Sequence, residues 1–140
     1  MRFWDSSAVI PLCLEEPHSS TVTALAKSDQ ELVVWWGTRV ECRSALARRR
    51  REGRLSSDSE RQATEVLAAL AEAWAEVQPT EAVRQRAERL LRVHPLRAAD
   101  ALQLAAALVW AEEEPPGLEV VCLDANLAEA ALKEGFSILP

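Results

Sequence analysis

Four carboxylates, widely separated in the chain, each sit at the edge of an expected element: Asp5 in RFWDSSAV, Glu41 in TRVECRSAL, Asp100 in LRAADALQLA and Asp124 in VVCLDANLA. Asp5 and Asp124 end apolar, strand-like runs, while Glu41 and Asp100 fall in the opening turns of helices. Parallel strands would bring all four to one end of a sheet. Carboxylates gathered in a small site repel one another unless cations offset the repulsion. Hard divalent ions take carboxylate and water oxygens, and magnesium keeps several of its waters. A magnesium or manganese site is therefore the chemistry these residues point to.

Each acid also has a plain structural reading. Asp5 and Asp124 can cap the helices that follow them. Thr38 and Glu41 form a T-x-x-E pattern, which is a capping box with no catalytic content. Asp100 can favour the positive end of its helix. The flanking sequence weighs against caps alone. Phe3 and Trp4 precede Asp5, the run Val120 to Leu123 precedes Asp124, and alanines and leucine surround Asp100. A carboxylate in such apolar company needs a partner.

Other chemistries fit less well. The four glycines make no GxGxxG or GK[ST] phosphate loop, and no GxSxG elbow is present. His18 and His94 are the only histidines and lack zinc-like spacing. Cys13, Cys42 and Cys122 form no CxxC pair, so they read as small core residues.

The elements that must position the acids come from hydrophobic patterning. Arg2 to Asp5, Glu31 to Trp36 (with LVVWW), Trp74 to Val77, Leu118 to Leu123 and Phe136 to Leu139 read as strands. A turn is expected at Ser6 and Ser7, with an apolar segment to Leu14. Helices are expected from Ser19 or Ser20 to Ala26, Thr38 to Arg51, Ser57 to about Glu76, Thr80 to Val93, Ala98 to Glu112 and Leu127 to Glu134. Strands alternating with helices predict a single α/β domain over residues 1–140. Its expected form is a three-layer α/β/α sandwich around a mostly parallel sheet of about five short strands. Ligands of such sheets bind beyond the carboxyl ends of the strands.

The chain has 140 residues, 49% of them hydrophobic, and a formal charge of -6. That balance excludes a general basic nucleic-acid binder. The dense run Arg48, Arg49, Arg50, Arg51, with Arg54 beyond it, makes a local phosphate contact possible. It reads equally well as a solvated helix end whose cations suit the dipole. Trp35, Trp36, Trp74 and Trp110 are expected to be mostly core. No signal peptide or membrane span is expected, which predicts a cytoplasmic protein.

Together, FWDSSAVIPL, TRVECRSALARR, HPLRAADALQLAAAL and VVCLDANLAEAALKEGF resemble, in order and spacing, the PIN-domain ribonucleases. Within them the chain resembles in particular the toxins of VapBC toxin–antitoxin pairs, and the likeness spans essentially the whole chain. The resemblance implies that Asp5, Glu41, Asp100 and Asp124 hold one or two Mg2+ or Mn2+ ions for phosphodiester hydrolysis in RNA. It implies a supporting hydroxyl at Ser7, and a polar residue at Asn126 where some relatives carry another acid. It further implies an RNA substrate, a cognate antitoxin and a homodimer. A PIN-like module that binds RNA or protein without cleaving is the alternative, as is an interaction module whose acids are only caps.

Overall fold

The computed structural model describes all 140 residues. Five strands, β1 (Arg2–Trp4), β2 (Leu32–Trp35), β3 (Ala75–Val77), β4 (Glu119–Val121) and β5 (Ser137–Leu139), form one sheet. Seven helices lie between them: α1 (Ser6–Cys13), α2 (Ser19–Ser28), α3 (Thr38–Arg51), α4 (Ser57–Ala73), α5 (Glu81–Val93), α6 (Ala98–Trp110) and α7 (Ala125–Glu134). Strand order is β3-β2-β1-β4-β5, and every pairing is parallel. This is the sandwich that the alternating pattern predicts.

Side chains along a strand point alternately to opposite faces, and that alternation builds two cores. Phe3, Val33, Trp35 and Val120 join buried residues of α5, α6 and α7 on one face. Trp4, Val34 and Val121 join Val22, Cys42, Leu67 and the start of α1 on the other. Burying one large apolar side chain stabilises by roughly 1.5–3 kcal/mol. Both faces are covered, which is why β2 and β4 read as unbroken apolar runs. Helix α6 is buried around most of its circumference, from Ala101 to Leu108, as a helix in the interior must be.

The connections fix where ligands can enter. Helices α1 to α4 link β1, β2 and β3 on one face, whereas α5 to α7 link β3, β4 and β5 on the other. The chain thus reverses its winding between β1 and β4. Open parallel sheets bind ligands at such a switch point, beyond the carboxyl ends of the strands.

Several boundaries differ from expectation. Ser6 and Ser7 are the first turn of α1, not a separate turn, because Asp5 caps that helix. Pro11 lies inside α1, which is why the segment reads poorly as a helix. Strand β4 ends at Val121, two residues early. Helix α6 stops at Trp110, and the next turn carries Glu112 and Glu113 at φ of 51° and 65°. Trp35 and Trp74 are buried, whereas Trp36 is half exposed at 50%. No helix is long and apolar enough to cross a membrane.

Candidate active site

Asp5 follows the last residue of β1, and Asp124 follows β4, the strand paired with β1 through Trp4 and Val121. Glu41 lies in the first turn of α3, just after β2, and Asp100 in the first turn of α6. All four line one cleft of about 560 Å³, together with Ser6, Ser7 and Arg48. The sheet topology therefore gathers acids that are far apart in sequence at the switch point.

Their hydrogen bonds separate caps from other roles. Asp5 is buried and accepts from the Ser7 backbone N–H at 3.1 Å, and also from the Ser7 hydroxyl. Ser7 Oγ in turn accepts from the Leu123 N–H at 2.9 Å, which ties α1 to the chain after β4. The Cys122 thiol lies 3.7 Å from Asp5 Oδ2. Asp124 caps α7 through the Leu127 N–H at 2.8 Å. Both aspartates therefore do cap helices, and both also open onto the cleft.

Glu41 is not part of a capping box. Gly37 is the N-cap of α3, and Thr38 is fully buried with its hydroxyl accepting from Gln103 Nε2 at 3.0 Å. The Glu41 carboxylate accepts from Ser6 Oγ at 3.0 Å and from Gln103 Nε2 at 3.3 Å. Ser6 and Gln103 are thus site residues that patterning passes over. The only signal for Gln103 is one amide inside the apolar run DALQLAAAL. Its Oε1 is buried and without a partner, an arrangement that costs about 1–3 kcal/mol unless the site supplies something to bond it.

Electrostatics set this cleft apart. Burial pushes the Asp5 carboxyl above its ordinary range; hydrogen bonds from Ser7 and Ser6 oppose this, and the charge of Asp100 adds to it. Burial likewise pushes Glu41 up to about 7, with Asp5 and Asp100 contributing and Ser6 and Gln103 opposing. Asp100 is raised by burial and by Asp124, and lowered by the Arg97 backbone and guanidinium. Arg48 is the only cation lining the cleft. Four hard oxygen donors with so little compensating charge fit a divalent cation. As arranged, no three acidic side chains converge tightly enough to hold one ion. Asp5 is turned to Ser7, and Glu41 to Ser6 and Gln103, which spreads the oxygens apart.

The remaining candidates divide. Asn126 is exposed in the first turn of α7 and makes no side-chain hydrogen bond, and it does not line the cleft. Arg49 pairs with Glu16 at 2.7 Å and Arg50 with Glu60 at 2.6 Å, so those two brace α3 against its neighbours. Arg48 faces the cleft, and Arg51 is exposed.

Comparison with known proteins agrees with this architecture. The family described as PIN domain matches residues 2–133. Ribonuclease VapC45 of Mycobacterium tuberculosis is 32% identical over 145 aligned residues, covering 99% of this chain and 94% of the relative. The crystal structure of FitAcB from Neisseria gonorrhoeae covers 100% of this chain and 97% of its own, with a TM-score of 0.67 and 17% identity. That of PAE2754 from Pyrobaculum aerophilum covers 97% and 87%, with a TM-score of 0.65 and 20% identity. At these identities the two structures speak to the fold alone. The chain belongs to the PIN-domain family, with a VapC ribonuclease among its relatives.

Proposed function

We propose that this protein is a metal-dependent endoribonuclease and the toxin of a type II toxin–antitoxin pair. The observation that carries the reading is the cleft itself. Four carboxylates from four separate elements meet at the switch point of a parallel sheet, with Arg48 as their only lining cation. A relative named a ribonuclease, similar along almost the whole chain, points to the same chemistry.

Asp5, Glu41, Asp100 and Asp124 would hold one or two Mg2+ or Mn2+ ions. Such an ion, when bound, supplies a water of lowered pKa and offsets charge on the phosphate. The chain's own residues do the rest. Ser7 bonds Asp5, and Ser6 with Gln103 bonds Glu41, so each acid keeps a defined neighbour from which it would turn inward to an ion. Outer hydrogen bonds of this kind orient ligands and tune their basicity. Arg48 offers a guanidinium to a phosphate at the edge of the cleft. Of the arginines that follow it, Arg51 is unpaired and extends that basic face, while Arg49 and Arg50 are engaged by Glu16 and Glu60. A cognate antitoxin would block the cleft, and two copies of the chain would form the working unit.

Calorimetric titration of manganese into wild type, Asp5→Asn and Asp100→Asn tests the site without choosing an RNA. Binding is expected in the wild type and lost in both folded variants. Cleavage of total cellular RNA should fall in parallel by about 100-fold or more, beyond the 10–100-fold typical of an outer-shell change. Full cleavage by both folded variants would overturn the assignment. Metal binding with no turnover on any RNA would favour a PIN-like binding module instead.

A further inference from the structure

Most arginines of this chain are held by a carboxylate, such as Arg2 by Glu119 at 2.7 Å and Arg86 by Glu113 at 2.8 Å. Arg39, Arg43, Arg48, Arg51, Arg92 and Arg97 are exposed and make no ion pair. Their distribution is not random. Four lie on α3, Arg92 is in the last turn of α5, and Arg97 is the N-cap residue of α6. Helix α3 and the head of α6 border the acidic cleft on two sides, and α1 lines it with Ser6, Ser7 and Ile10.

Helical geometry sorts the arginines of α3 further. Successive residues turn by about 100°, so the consecutive Arg48 to Arg51 cannot share one face. Arg48 lines the cleft with Val40, Glu41, Ser44 and Ala45. Arg51 lies three residues beyond Arg48, which places it along that face, whereas Arg43 lies seven before Arg50 and shares that residue's side of the helix. Arg49 and Arg50 point elsewhere, to Glu16 and Glu60. Across the cleft, Arg97 lies three residues before Asp100 and acts on its charge.

We infer that Arg48 and Arg51 on α3, with Arg97 opposite, form the track that holds the phosphates of a single-stranded RNA on either side of the acidic centre. The inference takes the polymer's identity from the nuclease reading. Guanidinium groups bind phosphate bidentately. Here they flank carboxylates that would repel a phosphate unless cations stood on both sides. A cleft of about 560 Å³ matches the volume that encloses one small ligand. It therefore has room for a nucleotide or two beside the acids, which suits a single strand. The contiguous basic run is thus not the binding unit: Arg49 and Arg50 are braces.

Fluorescence anisotropy of a short, labelled single-stranded RNA of mixed sequence, titrated over a salt series, tests this. The Asp100→Asn background keeps the RNA intact. Each phosphate contact on a single strand contributes about 0.7 to the slope of log K against log salt. The pair of changes Arg51→Ala and Arg97→Ala should flatten the slope by about 1.4, with an unchanged melting temperature. The double variant Arg49→Ala, Arg50→Ala should leave the slope unchanged and lower the melting temperature. The reverse pattern would overturn the track, as would tighter binding of a duplex of the same sequence. A change of oligomeric state with no change in slope would also overturn it, by giving these arginines to a protein interface. Wild-type cleavage, scored in parallel, separates the two readings. Cleavage with an unaltered slope overturns the track alone. Arginine-dependent binding without any cleavage supports the track and overturns the nuclease.

Discussion

Two of the places where this molecule takes carboxylates out of water solve the problem in opposite ways. At the end of α7, Glu134 lies 2.7 Å from His94 Nε2 and 3.2 Å from Arg89. Burial there raises its carboxyl, but the bonds and charges of His94 and Arg89 outweigh it and hold Glu134 below its ordinary range. In the cleft, Asp5 and Glu41 receive neutral donors and face other acids, and both are pushed up. The first arrangement is complete in itself. The second leaves its charge uncompensated by any paired cation. What separates a structural acid from a candidate ligand is thus the charge of its neighbours, since both are shielded from solvent.

Removing the closed arrangement should have the largest effect on stability. Glu134→Ala strands Arg89 and His94 and should cost about 2 kcal/mol in urea unfolding, with manganese affinity unchanged. A loss of metal binding without destabilisation would erase the contrast between the two regions. Next in size is Gln103→Leu. It removes a donor from Glu41 while filling the same space, so manganese affinity should drop about 10-fold with little change in melting temperature. Unaltered affinity would show that Gln103 only joins α3 to α6.

The smallest effect, of a few degrees in melting temperature, is one of pH. A carboxyl raised on folding favours the folded state when protonated, so its ionisation weakens the fold. Metal-free protein should therefore lose stability as pH climbs from about 4.5 to about 7, the interval over which Glu41 is displaced. Glu41→Gln or saturating manganese should flatten that slope. Glu134 acts with the opposite sign, because its lowered carboxyl stabilises at neutral pH and loses that contribution only as acid protonates it. A metal-free stability that rises between pH 4.5 and 7 would remove Glu41 from the open arrangement.

The acids themselves were legible because they interrupt apolar runs, and the sheet was legible because its strands are buried on both faces. Their supports were not. The bond between Gln103 and Glu41 spans 62 positions, and no local pattern encodes it. Thr38 and Glu41 mimic a capping box, yet buried Thr38 turns to Gln103, and the cap falls to Gly37. The arginine run misleads for a simpler reason. Neighbours in sequence diverge around a helix, and pairing with Glu16 and Glu60 is invisible until α3 packs.

Strand β1 is the centre of the sheet, and its partner β4 lies far along the chain, after every other strand but β5. Asp5 and Cys122, in contact when folded, are 117 positions apart. Contacts of such separation form late, because long loops must close first. Strands β1 and β2 can pair before β4 is made and bring together the ends that carry Asp5 and Glu41, but Asp124 reaches them only once β4 lies against β1. The cleft is therefore completed by the pairing of longest sequence separation in the sheet, so a fault in β4 would part its first acid from its last.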